Sequence, residues 1–385
     1  MSDQKRIYLD YAATTPTDPE VIRTMEPYFY QSFGNPSSPH AVGRGSKKAV
    51  EEARGILADF IEARSEEVVF TSGGTESNNH AIMGAVRSLK ARGNHIIVSK
   101  IEHHSVLEPV LYLEKEGFEI TFLEVDSSGR VDPDDVKRVI TDKTILIAVM
   151  HASNEIGTIQ PVEAIGRIAS ERKIHFHVDG VQSVGHIPVS VSKIGCTTLS
   201  LAAHKFYGPP GVGALYIRRG ARMANYLLGG DQERGRRAST ENVPGIVGLG
   251  KAVALCGIRM APEIQDQNFL RDRLIQEVPA RIGDCFLNGH PTQRLPNNSH
   301  FSFVAIVGES LLMSLDMAGI AASMGSACTA GALKPSHVLK ALGLSDELAL
   351  GSLRISIGRW TKKEEIDYFL DQLPGIVNRL RLARA

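Results

Sequence analysis

Five short apolar runs in this chain each end in residues that can do chemistry. Val68–Thr71 is followed by Gly73-Gly74-Thr75-Glu76, and His95–Ser99 by Glu102-His103-His104. The run 144–150 leads into His151-Ala152-Ser153-Asn154-Glu155, 175–178 into Asp179 and Gln182, and Thr198–Ala202 into His204-Lys205. If the runs are parallel strands, ligands belong beyond their carboxyl ends. One sheet edge would then carry an anion cradle, an imidazole, an amide, a carboxylate and an amine. The Gly73-Gly74 turn opens a helix whose first N–H groups are unpaired and attract phosphate. It is no nucleotide P-loop, because GxxxxGK[ST] is missing. Lys205 ends an apolar run, where partial burial favours the neutral, nucleophilic amine and suits Schiff-base chemistry. His175, His177 and Asp179 alternate onto one strand face, a spacing that also suits a metal and keeps a metallohydrolase in view. A lysine, an amide and a phosphate cradle are not what a metal site requires. Pyridoxal phosphate fits better: it brings an aldehyde for the lysine, a phosphate for the helix end and a ring nitrogen for an aspartate to keep protonated.

Cys328 stands apart from this edge, among small residues in Ser323-Met324-Gly325-Ser326-Ala327-Cys328-Thr329-Ala330-Gly331. Such a stretch predicts a loop with little to anchor it. A free thiol titrates near ~8.5, so Cys328 needs a nearby cation or helix end to be largely ionised at neutral pH. Cys196, Cys256 and Cys285 sit in or beside apolar segments and read as core residues.

The elements that must position these groups follow from hydrophobic period. Between residues 65 and 218, β-branched runs alternate with helical patterns over 76–91, 105–116 and 161–173, which predicts a mostly parallel sheet covered on both faces. The run 211–217, reached by the tight Gly208-Pro209-Pro210-Gly211 turn, is expected to be antiparallel. Past Gly245 the sequence predicts a helix over 262–282, strands over Cys285–Asn288, 301–307 and 353–357, and helices over 309–317, 335–342 and 361–381. This second part reads as a smaller α+β domain completed by the N-terminal segment. With 385 residues, 43% apolar and 22% charged, the chain can bury a sizeable core. Lys plus Arg equals Asp plus Glu at 43 each, which argues against a protein that coats nucleic acid or a polybasic membrane binder. No apolar run is read as membrane-spanning, the N-terminus lacks the core of a signal peptide, and four scattered cysteines suggest reduced thiols. The expectation is a cytoplasmic protein without membrane or direct nucleic-acid partners.

The motifs also resemble a known family. Tyr8-Leu9-Asp10-Tyr11-Ala12-Ala13-Thr14-Thr15, Gly34-Asn35-Pro36-Ser37-Ser38, Thr71-Ser72-Gly73-Gly74-Thr75-Glu76-Ser77-Asn78, Glu102-His103, Asn154-Glu155-Ile156-Gly157, His177-Val178-Asp179, Gln182-Ser183-Val184-Gly185, His204-Lys205, Gln232-Glu233-Arg234-Gly235, Gly325-Ser326-Ala327-Cys328-Thr329 and Leu353-Arg354 run in order along the chain. Together they resemble cysteine desulfurases of the NifS/IscS type, class V pyridoxal-phosphate enzymes. The resemblance implies an α/β transferase of fold type I, with a large cofactor domain over 15–258 and a small domain from 1–14 and 259–385 carrying the cysteine loop. It implies a homodimer, with Lys205 bound covalently to the cofactor, His103 stacked on its ring, Asp179 on the pyridine nitrogen and Gln182 on the ring oxygen. Asn154 would face cofactor or substrate. Gly74, Thr75 and His204 would hold the phosphate, with Thr240 lent by the partner subunit, and Asn35 and Arg354 would take the substrate carboxylate.

The implied reaction frees sulfur from L-cysteine, leaving L-alanine and a persulfide on Cys328 for a protein acceptor. Iron–sulfur assembly, tRNA thiolation and DNA sulfur modification all remain open as destinations. Selenocysteine lyase or another class V aminotransferase is the alternative, and a non-catalytic relay protein a third. Three departures from the family pattern stand out: Ala202 where a phosphate-gripping serine is usual, Asp231 in place of glycine, and Ala238-Ser239-Thr240 for Ser-Gly-Thr. They predict looser cofactor retention. The chain stops at Arg381-Leu382-Ala383-Arg384-Ala385, without the docking tail of members that serve a housekeeping scaffold.

Overall fold

The computed structural model describes residues 6–325 and 334–384. Cys328 and the loop reading attached to it lie outside these. Seven of the runs rich in β-branched residues form one sheet: β2 (Val68–Thr71), β3 (His95–Ser99), β4 (Glu119–Leu123), β5 (Thr144–Ala148), β6 (His175–Asp179), β7 (Thr198–Ala202) and β8 (Gly213–Ile217), after the short β1 (Ile7–Tyr8). Their order is β2-β8-β7-β6-β5-β3-β4. Only β8 runs against its neighbours, as the tight turn before it requires. The other pairings are parallel.

Period-two alternation divides the strand residues between two cores. Ile97, Ile147 and Phe176 pack with Val50, Ala53 and Leu57 of the helix Ala41–Phe60. Ile96, Val98, Leu146 and Ala148 pack on the opposite face with Ile82, Val86 and Leu89 of the helix Gly74–Leu89. Both faces are thereby covered, with His177 and Ser200 the polar residues buried in the middle of β6 and β7.

A three-stranded antiparallel sheet follows, ordered β12-β10-β9, from β9 (Cys285–Asn288), β10 (Asn298–Phe303) and β12 (Ser352–Ser356). Its core joins Phe301, Phe303 and Leu353 to Leu311, Phe369 and Leu373. The N-terminal β1 lies parallel to β11 (Ile320–Ala321), so Ile7 and Leu9 enter this second core.

One helix, Val243–Arg281, serves both cores. Its apolar residues up to Cys256 pack with the large sheet, and Leu270, Leu274 and Val278 with the small one. The sequence reading placed its start near 262. Residues 243–254 are apolar on nearly every side and contain Gly245, Gly248 and Gly250, so periodicity gives no signal there. The glycines allow close packing: a Cβ on Gly250 would stand 2.7 Å from that of Ala53. By length and composition this helix could also cross a membrane, contrary to the sequence reading. Its apolar window is 61% buried inside the protein, as a core helix would be.

The strand expected over 301–307 instead occupies 298–303. Polar Asn298, Ser299 and His300 hide the strand in the sequence, yet all are buried. Asn298 donates to the Glu155 carbonyl, and Asn288 bonds His300. Ala305, at φ 59°, then turns the chain away.

Candidate active site

The carboxyl ends of β2, β3, β5, β6 and β7 open on a cavity of about 320 Å³, within the range of small-molecule sites. Gly74, Thr75, His103, Asn154, Asp179, Gln182, His204, Lys205 and Arg354 all line it. Gly73 caps the helix Gly74–Leu89 at φ 153°, a conformation that favours glycine. At Gly74 a Cβ would come within 2.8 Å of the Val181 side chain, so the helix N-terminus can lie close to the loop after β6 only with glycine there.

Lys205 Nζ donates to the carbonyls of Ala12 at 2.8 Å and Ala13 at 2.7 Å. The N-terminal segment thus holds the amine, while Gln182 Nε2 donates to the same Ala12 carbonyl at 3.0 Å. Asp179 is buried. Its Oδ1 accepts from the Val181 amide at 2.9 Å and its Oδ2 from Asn78 Nδ2 at 2.7 Å. His204 Nδ1 lies 3.1 Å from Thr14 Oγ1, and burial depresses its pKa to about 4, with Lys205 adding to the effect. An imidazole kept neutral can share the cavity with the Lys205 amine without charge repulsion.

Arg354 reaches in from β12. Its Nη1 donates to the carbonyls of Asn154 and Gly325, at 2.8 and 3.1 Å, and its Nη2 to Asp10 Oδ1 at 2.7 Å. Its Nε, though buried, has no partner among the described residues. Glu155 lies beside it, with its pKa raised by burial against the opposing Ser336 bond and Arg354 charge.

Glu102 is fully buried at the cavity wall. Ser99 Oγ and the Met150 amide both donate to its Oε1, at 2.6 and 2.7 Å, and its Oε2 has no partner among the described residues. Burial pushes its pKa from 4.5 up to about 8, and the Asp179 charge adds to that. Burial thus favours the neutral form of Glu102 beside Asp179. Because the folded pKa exceeds the unfolded one, the stability contribution is full below about pH 4.5 and is lost as pH rises through about 8. Glu102→Gln is expected to remove this loss, on the order of a few kcal/mol, and thermal melts from pH 5 to 9 measure it. Equal pH slopes for the two proteins would contradict a neutral Glu102.

Two predicted residues lie elsewhere in this single chain. Asn35 is exposed, its Oδ1 accepting from the Ser37 amide at 2.9 Å. Thr240 is exposed beside Ser72, Arg237 and Ser239 in a separate cleft. The histidine–aspartate face weighed for a metal is otherwise engaged: His175 and His177 both bond Thr198, and His177 and Asp179 both bond Asn78. Among the described residues no three His, Cys, Asp or Glu side chains group to hold a metal ion. Sequence reasoning missed Asn78, Asp10 and the backbone of Ala12 and Ala13. Asn78 had a usable signal, since it follows Thr75 by three residues and shares its helix face.

The cavity matches the chemistry of pyridoxal phosphate: an amine, a buried carboxylate, an imidazole and a glycine-cradled helix end meet around a space of suitable size. Comparison with known proteins points the same way. The class-V aminotransferase family matches residues 7–369. A protein named cysteine desulfurase IscS from Dictyoglomus turgidum is 53% identical over 98% of this chain and 96% of its own length. A solved structure described as a NIFS-like protein superposes with a TM-score of 0.92 at 35% identity, covering 97% of this chain and all of that one. Another, described as SspA in complex with cysteine, gives 0.80 at 36% identity over 91% of this chain and 98% of its own. This chain therefore belongs to the class-V aminotransferase family, among its cysteine desulfurases.

Proposed function

We propose that the protein is a pyridoxal-phosphate-dependent cysteine desulfurase that frees sulfur from L-cysteine, releases L-alanine and passes the sulfur from Cys328 to a protein acceptor. The observation that carries this reading is the meeting of Lys205, Asp179, His103 and the Gly73-Gly74 helix end around one cavity, in a chain 53% identical to a named cysteine desulfurase. Bound there, the cofactor supplies an aldehyde that captures amines and a ring that takes up electrons when the substrate loses its Cα proton.

Lys205 would be the amine that the aldehyde holds, and as a free amine it would accept the Cα proton. Asp179 would keep the ring nitrogen protonated. The helix N-terminus with Gly74 and Thr75 would take the phosphate beside His204, Gln182 would serve the ring oxygen, and His103 would cover the ring. Asn154 lines the substrate side, and Arg354 receives the substrate carboxylate through its guanidinium fork. Cys328, as thiolate, attacks the substrate sulfur. The carbon–sulfur bond would break with sulfur left on Cys328 as a persulfide, while Cβ takes a proton and Cα regains the one that Lys205 accepted, giving alanine.

A homodimer completes this proposal. Thr240, remote from its own cavity, would serve the partner's, and Asn35 would join Arg354 from an exposed loop. Phe29, Phe33 and Leu228 are 65, 69 and 80% exposed, apolar surface that a second copy would cover. A cytoplasmic setting accords with Cys196, Cys256 and Cys285, all buried and unpaired. The division at residue 258, within the long helix, would let the small sheet carry Arg354 relative to the large one.

The test is stoichiometry: with a reductant present, purified protein is expected to yield alanine and sulfide one for one from cysteine. Pyruvate, or no alanine, would overturn the assignment. Cofactor retention gives a second check. Ala202 lines the cavity, and a Cβ on Gly74 would stand 3.7 Å from its own. In Ala202→Ser, the added hydroxyl is expected to slow cofactor release by roughly 3- to 10-fold, the worth of one hydrogen bond. Equal release from both proteins would count against looser grip at this position.

A further inference from the structure

Asn78 is 1% exposed and makes no direct contribution to the reaction described above. Both its amide protons and its carbonyl oxygen are nevertheless directed at Ser105, Asp179 and His177, and the proton positions can be worked out one by one. The Ser105 amide donates to His103 Nδ1 at 3.1 Å. That nitrogen is therefore bare, and the neutral ring carries its proton on Nε2. Ser105 Oγ, 2.8 Å from the same Nδ1, must donate to it as well. With its own proton committed, Ser105 Oγ accepts from Asn78 Nδ2 at 2.8 Å. The other Nδ2 proton goes to Asp179 Oδ2 at 2.7 Å. Asn78 Oδ1 accepts from His177 Nε2 at 3.0 Å. His177 Nδ1 then accepts from Thr198 Oγ1 at 3.0 Å, and Thr198 Oγ1 accepts from His175 Nε2 at 3.1 Å. A flipped Asn78 amide would set oxygen against the Asp179 carboxylate and donor against donor at His177. The chain has one direction.

We propose that Asn78 is a positioning residue: it fixes Asp179 with one amide proton and, with the other, holds the Ser105 hydroxyl against His103 Nδ1, where Ser105 favours the neutral ring with its proton on Nε2. Protonating His103 at Nδ1 would break two bonds from Ser105. Hydrogen bonds to the neutral form oppose charging. Burial acts in the same direction, as do the charges of Lys205, His104 and His337 on the elements packed around His103, while Asp179 acts against them. The consequence is that an imidazole can lie beside the Lys205 amine without adding a second cation. The proton placement stands on bonds within the protein alone; its bearing on the cofactor rests on the function proposed above.

The test follows His103 by NMR titration of the full-length, cofactor-loaded protein with ¹³C-labelled histidine, its signal assigned by loss in His103→Gln. The wild-type midpoint is expected below the ordinary 6.5. Asn78→Ala is expected to raise it by about one pH unit, because the Ser105 hydroxyl is no longer held against Nδ1 as a donor to the neutral ring. Ser105→Ala cuts the same link and leaves Asn78 on Asp179, so adding Asn78→Ala to it is expected to move the midpoint by no more than about 0.2 pH unit. An unmoved midpoint in Asn78→Ala, or full additivity in the double variant, would overturn the proposal. If Asn78→Ala does not fold, Ser105→Ala decides alone: the proposal requires a smaller rise, and an unmoved or lowered midpoint sinks it. Preparations that bind no cofactor would count against the functional reading, while the His103 titration could still be read.

Discussion

Lys205→Ala is expected to lower alanine formation from cysteine by at least about ten-thousandfold, the scale on which removing a covalent catalyst acts. The amine sits just beyond β7 and donates to the Ala12 and Ala13 carbonyls, so its position is set by a strand end and an N-terminal segment together. Alanine removes both the covalent anchor and the base. Lys205→Arg is expected to be as inactive, since a guanidinium keeps the charge but supplies no nucleophile at accessible pH. Neither change touches Asp179 or the Gly73-Gly74 helix end. Both variants are therefore expected to bind the cofactor, more weakly and with an altered absorption spectrum. Measuring turnover alongside bound cofactor checks this; substantial activity in either variant would remove Lys205 from the reaction.

Cys328→Ala is expected to lose sulfur release by about a thousandfold or more, while cofactor content and the spectral change on adding cysteine persist. Cys328 lies outside the described residues, but the chain on both sides is tied to the site. The Gly325 carbonyl accepts from Arg354 Nη1 at 3.1 Å, and Ser336 Oγ donates to Glu155 Oε2 at 2.5 Å. Arg354 and Gly325 both line the cavity. The described residues on both sides of Cys328 are thus anchored at the cavity. A selenocysteine lyase or aminotransferase of this fold would not need that thiol, so full activity in Cys328→Ala, assayed with cysteine, would favour those readings.

Much of this was legible in the sequence for a physical reason. Strands buried on both faces read as β-branched runs, and the polar residues after them have nowhere to go but the ligand edge. Asp179, His204 and Lys205 were visible in this way. What stayed hidden lacked such a signal. The Ala12 and Ala13 carbonyls that hold Lys205 are backbone groups and carry no residue signature. Asp10 meets Arg354 across 344 residues of chain, a pairing no spacing predicts. Asn78 lies inside a helix among nine other buried positions, and only its three-residue spacing from Thr75 sets its amide apart from a core residue. The first half of the long helix was hidden because its glycines and uniformly apolar surface erase the period. Thr240 and Asn35 differ again: in this single chain they stand outside the cavity, and the work proposed for them would need a second copy.

The claim beneath all of this is the covalent link at one amine. Borohydride reduction of the purified protein, followed by digestion and mass spectrometry, tests it directly. A fixed pyridoxyl adduct is expected on the peptide containing Lys205 and on no other lysine. An unmodified Lys205 in protein that carries the cofactor, or an adduct at a different lysine, would contradict it.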